Sequence, residues 1–270
     1  MTIGPHQARE LLARHGVRPS RALGQHFVVD PNTVRRVVRL AGVEPGDHVV
    51  EIGAGLGSLT LALAEAGAAV TAVELDRHLL PVLDEVLAGV EPAPVVVHAN
   101  ALELDWTSLL RGAAHWQLVA NLPYNVATPL VLDVLDHVPA IERLFVMVQR
   151  EAGERLAARP ASAAYGIPSV KVAYWADADV VARVGPNVFL PPPKVESVLV
   201  RIVRRPNPAT DADPVRLFAL VRAGFGQRRK MLRRALAGLV EPAAFELSGV
   251  RPEARAEELS VIEWGKLARA

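Results

Sequence analysis

The chain has 270 residues, 51% of them hydrophobic, with 30 Lys or Arg against 29 Asp or Glu and no Cys. That length can bury one large core and one smaller one, and the lack of Cys excludes a disulfide framework, a thiolate metal site and a Cys nucleophile, in keeping with a reducing cytosol. No apolar run reaches the roughly 18 to 20 residues that cross a bilayer, Met1–His6 has no apolar signal region, and no HExxH-type spacing occurs, so no membrane partner and no metal are expected and the cytoplasm is the expected location.

Asp30 and Pro31 stand as N-cap and first residue of a helix, whose stripe of Val34, Val37, Val38 and Ala41 ends at Gly42. From Asp47 onward, short apolar runs alternate with helical stretches. Strands are expected at His48 to Ile52, Ala69 to Glu74, Pro94 to His98, Gln117 to Ala120, Arg143 to Val148 and Ser197 to Val203. The alternation predicts a doubly wound α/β sheet with ligands at the carboxyl ends of its strands. Pro206 to Pro214 is too rich in Pro and Asp for regular structure and reads as a linker. Beyond it, Asp213–Pro214 caps a helix through Phe225, Gln227 to Leu239 is expected as a second helix, and Ser260 to Glu263 has capping-box spacing. The expected division is 1–205 for the sheet domain with its N-terminal helical appendage, 206–214 for the linker and 215–270 for a smaller helical domain.

Three segments follow strands and carry chemistry. Val49 to Gly57 runs from a strand into a Gly53-Ala54-Gly55-Leu56-Gly57 turn, and Glu74 closes the next strand; glycines let a ligand approach the backbone, and an acidic residue there takes two ribose hydroxyls. The third glycine comes one position early for a dinucleotide fingerprint, and Glu51 just ahead suits a donor carrying positive charge and an amino-acid portion. S-adenosylmethionine therefore fits better than NAD. Asn100-Ala101 follows the third strand, where the side chain either serves as an ordinary turn residue or bonds the cofactor's adenine, Ala101 offering its N–H to the ring.

Asn121-Leu122-Pro123-Tyr124 ends the fourth strand. An exocyclic adenine amine has its lone pair delocalised into the ring, so it attacks a methyl donor only when acceptors hold its N–H groups. The Asn121 side-chain carbonyl and the Leu122 backbone carbonyl supply such acceptors, Pro123 stiffens the turn, and Tyr124 offers a face for a base drawn out of its stack. The block reads as an amine-methylation site.

Charge is unevenly spread. Between Leu190 and Val240 eleven Lys or Arg stand against three acidic residues, net +8, which leaves −7 for the rest of a chain whose total is +1. Lys194, Arg222, Arg228, Arg229, Lys230, Arg233 and Arg234 lie in this region and predict a basic surface for a polyanion, with Met231, Leu232, Ala235 and Leu236 as the inward side of the second helix.

In order along the chain stand Gly24-Gln25-His26-Phe27-Val28, the glycine block, Glu74-Leu75-Asp76, Asn121 to Leu130 and Val188 to Ser197 with its Leu190-Pro191-Pro192-Pro193-Lys194 run. Together they resemble the ribosomal RNA adenine N6-dimethyltransferases, and the last block resembles the small-subunit branch. The resemblance, from about Gly24 to the C-terminus, implies a Rossmann-like methyltransferase sheet and transfer of two methyl groups from S-adenosylmethionine to N6 of each of two adjacent adenines near the 3′ end of 16S rRNA. It implies cofactor contacts at His26, Val28, Glu51, Gly53, Gly55, Glu74, Asn100, Ala101 and Asn121, a catalytic set of Asn121, Leu122, Tyr124 and Phe189 in which Tyr124 and Phe189 sandwich the base, and a monomer acting on the 30S subunit precursor. His26 and Asn100 depart from the family's commoner Asn and Asp, and both can still hydrogen-bond.

Two rivals share parts of this pattern. An Erm-like methyltransferase of 23S rRNA has the cofactor and amine motifs without the Leu190 to Lys194 run. A non-catalytic rRNA-binding assembly factor would not need Asn121, Tyr124 and Glu74.

Overall fold

In the computed structural model, which describes residues 3–270, the apolar runs become the parallel part of one sheet. The strands of the described residues are, in chain order, β1 (Phe27–Val28), β2 (His48–Ile52), β3 (Ala69–Glu74), β4 (Val95–His98), β5 (Trp116–Asn121), β6 (Ile141–Gln149), β7 (Ala176–Val184), β8 (Phe189–Leu190) and β9 (Ser197–Arg204). Seven of them form the sheet in the order β4-β3-β2-β5-β6-β9-β7, while β1 and β8 pair separately. β4 through β6 are parallel and β9 returns antiparallel against β6, pairing Phe145 with Arg201 and Met147 with Leu199.

The chain passes outward from β2 through β3 to β4, then starts again on the other side of β2 with β5. That reversal opens a crevice at the carboxyl ends of β2 and β5, the usual ligand position in an open α/β sheet. Val49, Val50, Leu118, Val119 and Ala120 are at most 1% exposed, as strands covered on both faces require. β7 is not among the strands expected from sequence, because Ala-Asp-Ala-Asp-Val-Val-Ala-Arg-Val is poor in strand formers. Its period-two burial, with Ala176, Ala178, Ala182 and Val184 inside, shows only once it lies on the sheet edge.

The helix Pro31–Ala41 forms as its sequence dictates: Asp30 Oδ2 accepts from Thr33 N at 2.8 Å, and Gly42 ends it at φ 67°. A second N-terminal helix, Pro5–Arg14, precedes it.

Two compact units divide the chain, one running up to Gly153 and including Asp179–Val203, the other made of Glu154–Ala178 and Arg204–Ala270. This boundary differs from the one expected at 206–214. Tyr165, Val170 and Tyr174 are buried in the same apolar cluster as Leu217, Val221, Phe245 and Trp264, so the segment 154–178 packs with the C-terminal helices.

Within that second unit the helix Pro214–Gly226 is capped by Asp213 as expected. The helix expected over Gln227 to Leu239 is only Leu232–Ala235. Gln227 N turns back to Gly224 O, Met231 is extended, and the amides of Leu232 and Arg233 are taken by Ala254 O and Pro252 O at 2.8 and 3.0 Å. Leu232, Ala235 and Leu236 do face inward, whereas Met231 is 40% exposed. No helix among the described residues is long and apolar enough to cross a membrane.

Candidate active site

β2 delivers the chain into the glycine turn, where Gly53, Gly55 and Gly57 all have positive φ. Gly55, at φ 59°, is the tightest: a Cβ there would lie 2.9 Å from Phe27 Cδ1, so the backbone is bare where Phe27 presses on it. Gly55 N donates to Glu74 Oε2 at 2.8 Å and Asp76 N donates to Glu74 Oε1 at 2.9 Å, which fixes the carboxylate at the end of β3. Glu74 is 6% exposed, and burial holds its pKa above the ordinary carboxylate value. After β4, Asn100 Oδ1 accepts from Leu102 N at 3.2 Å and so caps the turn Ala101–Glu103.

β5 ends on Asn121. Its Nδ2 donates to His26 O at 3.0 Å, while Leu122 N donates to Met147 O on β6. The Asn121 amide is thereby oriented from the nitrogen side, and neither its Oδ1 nor the Leu122 carbonyl accepts a bond from another described residue. Val126 N and Ala127 N both donate to Pro123 O at 3.1 Å, closing the turn that carries Tyr124. The Tyr124 hydroxyl bonds Ser197 Oγ at 2.9 Å, and its ring stacks with His26 at 5.5 Å between centroids and 27° between planes. His26 is held from its other side by Nδ1 against Pro191 O at 2.7 Å.

One cleft joins these groups. His26, Gly53, Gly55, Glu74, Asn100, Ala101, Asn121, Leu122 and Tyr124 all line it. Val28 and Glu51 line a smaller adjoining cavity that shares Phe27, Gly53, Gly55 and Asn121 with the cleft. Glu51 is 1% exposed and accepts from Thr60 Oγ1 at 2.6 Å; burial pushes its pKa from 4.5 up to about 8.

Phe189 does not reach either space. It is 3% exposed, paired with Val28 across the β1–β8 ladder, and its side chain belongs to the core of its unit. The aromatic beside Tyr124 is instead His26. The reading from sequence also missed Gln25, whose Nε2 donates to Asp76 Oδ2 at 2.8 Å and closes one wall. The only signal for it was its place in the Gly24 to Val28 block.

Of the basic residues, Arg228 pairs with Glu257 and Arg233 with Glu253. Arg222, Arg229, Lys230 and Arg234 are exposed and have no partner among the described residues, and Lys194, in the first unit, is exposed as well.

A buried carboxylate after the second parallel strand, a bare glycine backbone opposite it and a polar residue after the third suit a nucleoside ligand. Asn121 with two open carbonyl acceptors suits an amine. The fold and cleft thus define a methyltransferase of the S-adenosylmethionine-dependent α/β class. Residues 17–269 match the ribosomal RNA adenine dimethylase family, and the chain belongs to it. Its relatives include proteins named ribosomal RNA small subunit methyltransferase A. The one from Streptomyces coelicolor is 50% identical over 98% of this chain and 96% of its own, and the one from Thermobifida fusca 47% over 98% and 95%. Among solved structures, a dimethyladenosine transferase from Plasmodium falciparum superposes with a TM-score of 0.75 at 21% identity, covering 90% of this chain and 96% of its own. The 23S rRNA methyltransferase ErmE gives 0.69 at 25% identity, covering 90% and 98%. The chain is an rRNA adenine dimethyltransferase, and S-adenosylmethionine is its cofactor.

Proposed function

We propose that the protein dimethylates N6 of two adjacent adenines near the 3′ end of 16S rRNA, acting in the cytoplasm as a monomer on a precursor of the 30S subunit. The observation that carries the reading is Asn121, tied through Nδ2 to the His26 carbonyl with its own Oδ1 and the Leu122 carbonyl left open at the cleft. In the first transfer those two carbonyls accept the two N6 hydrogens, and in the second one of them holds the single hydrogen that remains, which in each case turns the nitrogen lone pair out of conjugation. Tyr124, anchored through its hydroxyl to Ser197 and stacked with His26, supplies the face against which the extruded adenine lies.

The cofactor supplies a methyl group on a positively charged sulphur. Glu74 and Asn100 would hold its nucleoside part, Gly53 and Gly55 would let it approach the main chain, and Glu51, His26 and Val28 would hold its amino-acid end. The chain's contribution is orientation and pre-aimed acceptors, so no general base is required; the methylated amine, acidic once alkylated, loses its proton to water.

Lys194, Arg222, Arg229, Lys230 and Arg234 support binding of the RNA backbone, and Arg228 and Arg233 contribute from within ion pairs. The small-subunit substrate is favoured over the Erm-like one by the relatives at 50% and 47% identity, against 25% for ErmE. Tritiated methyl transfer to 30S particles lacking the modification, followed by nucleoside analysis, tests the reading. N6,N6-dimethyladenosine in 16S rRNA is expected; label confined to 23S rRNA, or none, overturns it.

A further inference from the structure

Beside the methyl-transfer cleft the N-terminal appendage forms a second hollow, of about 560 Å³, that no step described so far uses. Leu12, Val17, Pro19, Leu190 and Pro191 give it apolar walls. Arg9 and Arg18 line it as well, both exposed and neither with a hydrogen-bond or ion-pair partner among the described residues, and no carboxylate among those residues lines it. The walls are firmly held. Ala8, Leu11 and Leu12 of the helix Pro5–Arg14 are buried, and Arg14 and His15 both bond the Glu85 carboxylate on the helix Leu80–Leu87, at 2.8 and 2.7 Å. Val17 N donates to Leu12 O at 2.9 Å, which folds the end of the first helix over the hollow.

One contact sets its place relative to the cleft. His26, in the cleft wall, bonds through Nδ1 to the carbonyl of Pro191, in the wall of the hollow, at 2.7 Å. The chain makes the same connection, since a turn closed by Gln25 N on Ser20 O leads from Pro19 into Leu23, Gly24 and Gln25 of the cleft wall. A strand whose base is drawn into the cleft brings its next nucleotide to this spot. That nucleotide carries a flat apolar face and a phosphate charge. Apolar walls suit the face whichever base it belongs to, and unpaired guanidiniums, planar and permanently charged, suit the phosphate. A basic protein segment would meet like charge there instead.

We propose that the hollow is a second nucleotide subsite, which holds the rRNA residue next to the adenine under methylation, its phosphate on Arg9 and Arg18 and its base on the Leu12, Val17 and Pro191 walls. The assignment rests on the reading of the cleft as the site of two adjacent adenines. For one of the two, the residue held in the hollow during transfer is then the other adenine.

The test uses the full-length protein and 30S particles lacking the modification. Loss of two charge contacts in Arg9→Gln/Arg18→Gln should lower kcat/KM on these particles by about tenfold, with the calorimetric affinity for S-adenosylhomocysteine within about twofold of the parent's. A p-benzoylphenylalanine placed at Ala13, exposed and lining the hollow, should crosslink to 16S rRNA beside the adenine pair. An unchanged kcat/KM overturns the subsite, as does the absence of a crosslink beside the pair, whether the label goes to a protein, to distant rRNA or nowhere. An equal loss of S-adenosylhomocysteine affinity also overturns it, making the two arginines props for the cleft. If the parent methylates no adenine in these particles, the reading of the cleft fails and the subsite falls with it; a parent that methylates them beside an equally active double variant sinks the subsite alone.

Discussion

Replacing Glu51 with Gln changes how the stability of the first unit depends on pH. Glu51 is 1% exposed and burial raises its pKa from 4.5 to about 8, so between those values the folded protein keeps a proton that the unfolded chain has lost. The group's stabilising contribution is therefore complete below pH 4.5 and is lost as pH rises toward 8. At about 1.4 kcal/mol per pH unit, and allowing for half-titration at the upper end, the loss between pH 6 and pH 8 is about 2 kcal/mol. Gln keeps an oxygen for the Thr60 hydroxyl now bonded at 2.6 Å and does not titrate. Glu74, whose pKa is also raised by burial, is present in both proteins, and its charge is itself one of the causes that raise Glu51, so the Glu51→Gln comparison reads the burial of Glu51 together with that coupling. Urea unfolding of cofactor-free parent and Glu51→Gln at both pH values should show the variant gaining about 2 kcal/mol on the parent from pH 6 to pH 8. A gap constant within about 0.5 kcal/mol, the usual error of such differences, would mean that Glu51 is ionised throughout and that its burial has been misjudged.

Asn121→Ala removes one of the two amine acceptors along with the bond to His26 O, and single-turnover methylation should fall by about a hundredfold or more while the thermal melt is little changed. Parent-like single-turnover rates would exclude the role. Arg229, Lys230 and Arg234 are exposed and without ion-pair partners among the described residues, so changing all three to Gln should lower the slope of log K against log salt for rRNA binding by about 2 to 3. The same change at the paired Arg228 and Arg233 should lower it less. Gly153, on the helix Arg150–Leu156, faces β9, and Gly153→Ala would put a Cβ 2.3 Å from Val198 Cγ2 and 2.9 Å from Val200 Cγ2, which should cost about 2 kcal/mol. A melting temperature equal to the parent's would refute that packing.

The parallel strands, the capped helix Pro31–Ala41 and the glycine turn were legible in the chain because each rests on neighbours a few residues apart: an apolar run, Asp30 before Pro31, Gly42 at a left-handed stop. The cofactor and amine motifs were legible for the same reason, since each is a short run at a strand end. What required tertiary structure was every relation over long separations. His26 meets Asn121 across 95 positions and Pro191 across 165, which sets His26 rather than Phe189 beside Tyr124. The resemblance implied a base platform at Phe189, but the two-residue ladder with Val28 turns it into the core. The charged stretch after Gln227 has helical composition, yet the loop at 252–254 captures its amides and leaves a single turn of helix. Likewise 154–178 joins the C-terminal unit because its aromatic side chains find Phe218 and Leu259 there. Local sequence determines which backbone each segment prefers; which side chains share a cavity, and whether a carboxyl such as Glu51 keeps its proton, depends on burial that only the assembled fold creates.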